Sequence, residues 1–318
     1  MKRGAFIALT VVTCVIGLVD GGCAGRRAAP DPDPKGPSST QIGALQEQAR
    51  RWLAAGHHAR ARESFEQANR LAESLDDRPS LVDITHELGN LALEDGRLSQ
   101  ALTLHRKGLH LAEQTGDGRR ILLSVASLAA AEQQAGHTET AADLYKRGMG
   151  LARERQDRGT LAALLNNAGL LDQRTGDVEA ARQAYREASA INKELGHREA
   201  EASNHANLAM LAEGLHDYDE AAREFALALD LDKAVENAHG IAADLANMGR
   251  IAVRRGYTEL GLDYMDRAYR SYAAQGDRAR ALEALSNAVE AARQSGRMDD
   301  ARRFEAESAS LKALPALR

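Results

Sequence analysis

Glycine recurs every 40 residues along the chain: Gly56, Gly96, Gly136, Gly176, Gly256 and Gly296, with His216 in the one slot that breaks the series. Glycine makes up 27 of 318 residues, so filling six of seven evenly spaced slots by accident is not credible. A fixed period of this length marks stacked supersecondary units, each unable to bury its apolar face alone. Such a chain offers an extended binding surface, and the sequence does not name what binds there.

Other columns keep the same register. Five residues after each glycine slot stand Ala61, Ala101, Ala141, Ala181, Ala221, Gly261 and Ala301. Seven residues before it stand Ala49, Gly89, Ala129, Gly169, Ala209, Gly249 and the exception Val289. Nine residues after it come Phe65, His105, Tyr145, Tyr185, Phe225 and Met265. Small side chains in register let two helices approach, and the bulky column supplies knobs for the space beside them.

Within each unit the apolar spacing is helical. Leu161, Leu164, Leu165, Ala168 and Leu171 follow the stripe of one helix, and Val178, Ala181, Tyr185 and Ala188 that of a second after the turn. No useful stretch alternates with a period of two. Each unit reads as helix, short turn, helix and polar link, and the fold class is all-α.

The turn glycine, the alanine five residues on, the bulky residue four further and the small residue three beyond that (Ala68, Gly108, Gly148, Ala188) resemble the tetratricopeptide repeat. So does Leu208-Ala209-Met210-Leu211 followed by Asp217-Tyr218-Asp219-Glu220-Ala221-Ala222. The proline and buried aspartate–arginine features of HEAT and armadillo arrays are not apparent. The resemblance implies a right-handed α–α superhelix (solenoid) of about seven 40-residue helix–turn–helix repeats, near 42–81, 82–121, 122–161, 162–201, 202–241, 242–281 and 282–318 within an array spanning 41–318. Because the family period is about 34 residues, the longer unit implies an extended second helix and link.

Residues 1–22 are a different kind of sequence. Lys2 and Arg3 precede an apolar run from Ala5 to Val19, then small residues surround Cys23. That reads as a secretory signal, too short for a comfortable membrane span. Cys23 after Gly21-Gly22 resembles a bacterial lipoprotein site, which implies lipid attachment at Cys23; Asp20 stands where such sites carry an apolar residue. The alternative is ordinary signal removal near Ala24 or Gly25. The expected location is lipid-anchored at the outer membrane facing the periplasm, or otherwise soluble periplasmic or secreted. Residues 23–40 form a linker with Pro30, Pro32, Pro34 and Pro37, in which extended polyproline geometry spans ~3.1 Å per residue.

Chemistry is sparse. The only cysteines are Cys14 and Cys23, so the repeats hold no disulfide or thiolate metal site. His86-Glu87 lacks the second histidine of a zinc protease, and His57, His58, His137, His197 and His216 fall at turns or links. A net charge of −5 argues against a nucleic-acid partner. No phosphate loop, nucleophile elbow or paired carboxylates stand out, so neither an enzyme nor a cofactor is expected.

The site candidate is a ladder of asparagines on the first helix of successive units, Asn167, Asn207, Asn247 and Asn287, each nine residues before the turn. In the family that helix lines the concave side, and asparagines there hold an extended peptide by its backbone. A side-chain amide pairs with a peptide N–H and C=O together; the competing role is hydrogen bonding between neighbouring helices. Arg174, Arg250 and Arg254 share the stripe, and Arg250 with Arg254 makes a basic step suited to an acidic or carboxylate anchor. Tyr257, Tyr264, Tyr269 and Tyr272 form a second cluster, either core filling or a hot spot. The leading reading is a non-catalytic scaffold or assembly factor of the bacterial cell envelope that binds a protein or peptide in the groove, with the membrane held through the N-terminal lipid. The alternative is an exported ligand- or peptide-sensing regulator.

Overall fold

The corner, more than any helix, sets this architecture. At 20-residue intervals from Gly56 to Gly296 the backbone enters the left-handed region, whether the residue is glycine or not: Asp76, Gln156, His216 and Glu236 have φ of 48°, 56°, 62° and 56°. Except at Asp117, which donates to Thr115 Oγ1 at 3.2 Å, the next residue then donates its N–H to the carbonyl five places back, as His57 does to Trp52 (2.8 Å), Asp157 to Ala152 (2.9 Å) and Tyr257 to Ala252 (2.8 Å). This is the six-to-one bond of a Schellman ending. The same residue starts the next helix. Asp77, Asp157, Asp177, Asp217, Asn237 and Asp277 each accept from the backbone N–H three residues on, at 2.9–3.2 Å, which satisfies an orphan donor of the first turn.

The computed structural model describes residues 37–313. Fourteen α-helices alternate with these corners: α1 (Pro37–Ala54), α2 (His58–Ser74), α3 (Arg78–Glu94), α4 (Leu98–Thr115), α5 (Gly118–Gln134), α6 (Thr138–Glu154), α7 (Arg158–Thr175), α8 (Val178–Leu195), α9 (Arg198–Gly214), α10 (Tyr218–Ala234), α11 (Ala238–Arg254), α12 (Thr258–Ala274), α13 (Arg278–Gln294) and α14 (Met298–Ala313). No strand occurs among the described residues. The signal segment 1–22, Cys23 and residues 24–36 of the linker lie outside them.

Three expectations need correcting. Helix α1 already includes Pro37 to Thr40, so the last four residues assigned to the linker are helical. Helices α3, α5 and α7 begin at residues 78, 118 and 158, four residues before the frames drawn from the apolar stripes, because each opens with a polar, capped first turn. The extra length is not confined to the second helix either. Odd and even helices are alike at 16–18 residues, and the link is as short as the turn.

Contacts divide the chain into two compact units, one ending at Asn167 and one beginning at Ala168. In each, helices pack on their sequence neighbours, and the odd helices α3 and α5, and α11 and α13, also meet each other. The columns of small and bulky residues interlock as their register requires. Phe65, Tyr145, Tyr185 and Phe225 are fully buried. A Cβ added to Gly89 would lie 2.5 Å from the His105 ring, one on Gly169 2.8 Å from Tyr185, and one on Gly249 2.7 Å from Met265. Glycine thus stands beneath three of the knobs because nothing larger fits. In the last hairpin Phe304, one place early, fills the knob site and is fully buried.

Candidate functional site: the odd-helix face

Cross-links at intervals near the repeat length show which side chains share the odd-helix face. In the first unit Arg120 of α5 forks onto Asp83 of α3 at 3.0 and 2.9 Å, and His86 Nε2 meets Ser127 Oγ at 2.7 Å. Ser127 stands in the asparagine register, so that position of α5 is tied to the neighbouring hairpin. In the second unit Arg250 of α11 forks onto Glu213 of α9, both bonds at 2.7 Å. The even helices are laced separately, by Lys107–Glu73 at 3.0 Å, Arg147–Glu113 at 2.7 Å and Arg182–Glu220 at 2.9 Å.

The asparagine ladder is not uniform. Asn167 is 5% exposed and accepts a 3.3 Å hydrogen bond from Asn166. Asn207 and Asn247 are half-buried on α9 and α11, and Asn287 is exposed on α13. Asn247 lies three residues before Arg250, on the stripe that bridges α9 and α11. Arg174 and Arg254 are exposed. The basic step therefore splits: Arg250 is bound to Glu213, and Arg254 is left as its outward cation. Of the tyrosines, Tyr272 is buried and Tyr264 and Tyr269 pack against the core, whereas Tyr257 is 55% exposed beneath the Arg255 guanidinium. A depression of about 740 Å³ beside Tyr257, Leu260, Asp263 and Arg297 opens at the corner edge, away from the asparagine stripe.

Several buried polar groups escaped the sequence reading. His105 is fully buried, Nε2 lacks a hydrogen-bond partner, and burial followed by the nearby His86 pulls its pKa down to about 3. Glu132 is buried on α5; burial works to raise its pKa, but hydrogen bonds from His137 (2.5 Å) and Arg106 (2.7 Å) outweigh it and the net shift is downward. Asn192 and Asn204 hydrogen-bond each other at 2.8 Å inside the second unit, and Asp232 and Asp244 occupy the same two positions one repeat later. The signal was present in the columns, where these pairs replace Ala72 and Ile84 or Ala152 and Leu164.

One cluster has the order of a nucleophilic relay. His205 Nε2 lies 3.3 Å from Ser189 Oγ, and His205 Nδ1 lies 2.7 Å from Glu224 Oε2. Ser189 sits inside α8, whose backbone N–H groups are spent within the helix and so offer its hydroxyl no oxyanion donor. The imidazole ties α8, α9 and α10 together. Among the described residues no group of three or more His, Cys, Asp or Glu side chains is placed to hold a metal ion, and no helix is long and apolar enough to cross a membrane.

Paired helices closed by left-handed corners, with small residues under large ones, define an all-α repeat solenoid. Residues 160–234 match the family model of the tetratricopeptide repeat. No curated protein matches the sequence. Among solved structures it is similar to a signal transduction ATPase with numerous domains carrying a tetratricopeptide repeat sensor, from Pyrococcus horikoshii, at 17% identity over 86% of this chain and 42% of that one (TM-score 0.70). It is similar to the apo form of the quorum sensor NprR from B. thuringiensis, at 13% identity over 86% and 77% (TM-score 0.66). It is also similar to a Rap protein complexed with Competence and Sporulation Factor, at 14% identity over 86% and 75% (TM-score 0.63).

Proposed function

We propose that the odd-helix face of the second unit, centred on α9 and α11, holds an extended segment of a partner protein. The observation that carries this reading is Asn247, a half-exposed side-chain amide on the bridging stripe that makes no hydrogen bond among the described residues. Such an amide matches the N–H and C=O of an extended backbone. Arg254, one turn beyond Arg250, supplies the charge for a carboxylate on that segment, while Arg250 holds α11 against α9. The fold is shared with NprR and with the Rap protein in its complex, which favours a second reading, a peptide-sensing regulator. A sensor gains thermal stability from a short ligand, whereas a scaffold co-purifies with a large partner.

A photo-crosslinking residue placed at Asn247 in the native cell tests the face, with Lys107 on the even side as control. Adducts from position 247 and none from 107 support the reading; adducts from 107 alone contradict it. The setting we propose is the cell envelope, with the chain tethered through Cys23, on the strength of Lys2, Arg3, the Ala5–Val19 run and the small residues before the cysteine. Palmitate labelling that is lost in Cys23→Ser supports the tether, and labelling that persists in the variant refutes it.

A further inference from the structure

The seam between an even helix and the following odd helix repeats the same two positions along the chain: Ala72 with Ile84, Ala112 with Ser124, Ala152 with Leu164, Asn192 with Asn204, Asp232 with Asp244, and Tyr272 with Ala284. In the α8–α9 seam the amides satisfy one another, Asn192 Nδ2 donating to Asn204 Oδ1 at 2.8 Å. In the α10–α11 seam two carboxyls take their places, Asp232 at 5% and Asp244 at 3% exposure. Asp232 Oδ1 accepts from Asn237 Nδ2 at 3.0 Å, and its other oxygen occupies the space where a side chain on Gly240 would stand. Asp244 Oδ2 is buried with no hydrogen-bond partner.

Two acceptor-only groups cannot do what two amides do. With both ionised, the seam would enclose a charge with no donor facing it, which costs more than retaining a proton. The surroundings do little to relieve it. Glu199 of α9 adds to the negative charge at Asp232, and His239 at the start of α11 opposes it. Tyr272 of α12 feels the charge of Asp244 together with those of Arg280, Asp277 and Glu283 at the start of α13, of which Arg280 alone is positive. Arg280 is itself engaged by His239 and lies 3.7 Å from Asp277.

We propose that Asp232 and Asp244 form a buried acid pair that acts as a proton-dependent latch between the α9–α10 hairpin and the α11–α12 hairpin. Burial, then the charge of Asp232, pushes Asp244 up to about 8, and burial raises Asp232 as well. Closing the seam therefore takes up a proton that the opened chain releases in the ordinary carboxylate range. The latch is fully effective below about pH 4, weakens as pH rises, and has lost its contribution once Asp244 ionises near 8. The Glu213–Arg250 bridge joins α9 to α11 across the same boundary between hairpins, so alkaline opening would also loosen the odd-helix face. The latch rests on the packing of the seam alone and stands whether or not a peptide binds there.

The test uses the full chain and Asp244→Asn, which copies Asn204 of the preceding repeat, with Asp232→Asn as a second variant. Carboxyl carbons of labelled aspartate are titrated by NMR, and thermal unfolding is followed from about pH 5 to 9. The expected result is one aspartate titrating near 8 in the natural chain and absent from Asp244→Asn. The folding constant of Asp244→Asn should gain on the natural chain by up to about tenfold per pH unit until Asp244 ionises near 8, and level off above. Parallel pH profiles, or all aspartates titrating in the ordinary acidic range, would overturn the proposal. The titration of the natural chain decides the matter even if neither variant folds.

Discussion

His105 fills the knob position that Phe65, Tyr145, Tyr185 and Phe225 fill elsewhere, over a glycine and with an unbonded ring nitrogen. An imidazole there is tolerated only while neutral. Its pKa is lowered in the folded chain to about 3 from an ordinary 6.5, so the unfolded chain binds the proton first, and stability is lost as pH falls from 6.5 toward 3. His105→Phe should raise stability at neutral pH by about 1–3 kcal/mol, the cost of a buried unpaired polar atom. Its advantage should widen on acidification by at most ~1.4 kcal/mol per pH unit. Thermal unfolding at several pH values checks this, and profiles that stay parallel would show that His105 is not the group responsible. Packing of this kind was legible because a column of small residues beside a column of bulky ones has one sensible arrangement. The fate of the asparagines was not. Asn167 and Asn287 share a register, yet Asn166 bonds one, and α13, the last odd helix described, leaves the other exposed. The pairing of Arg250 with Glu213 was equally hidden, since it depends on which hairpin lies alongside.

At the scale of the element, the glycine series revealed only every second corner. The backbone turns every 20 residues, and links and turns are built alike, but Asp76, Gln156, His216 and Glu236 conceal it by adopting a left-handed conformation that glycine takes more readily. His216 is the corner residue itself, while nearby Gly214 ends α9 in helical conformation. A side chain in that conformation costs roughly 1–2 kcal/mol. Gln156 is exposed and uncharged, so Gln156→Gly should stabilise the first unit by about 1 kcal/mol, less the added freedom of the unfolded chain. Gly136→Gln should destabilise it by a similar amount. Denaturant melts of the two variants should move in opposite directions; movement in the same direction would mean that the corners are not equivalent.

For the molecule as a whole, stability in a repeat array is a sum of local terms and neighbour interfaces. Phe304 closes the last described core, among Leu262, Met265, Leu285 and Ala288. Phe304→Ala should cost about 3–5 kcal/mol there. Amide exchange should then rise in α13 and α14 while α9 and α10 keep their protection. Uniform loss across the second unit would argue for a single cooperative block instead. The periodic corners and knobs, readable from the sequence, determine that hairpins stack. What they present on the odd side depends on pairings across repeats that no single unit displays.

The partner surface proposed for this chain is the odd-helix face of the second unit. The most direct measurement is the affinity of the full chain for a labelled peptide taken from the crosslinked partner, compared among Asn247→Ala, Arg254→Ala and the even-side control Arg267→Ala. Loss of a hydrogen bond to a charged or backbone group predicts about a tenfold weaker Kd for each of the first two and no material change for the third. Binding that survives Asn247→Ala and Arg254→Ala but fails in Arg267→Ala would contradict the account.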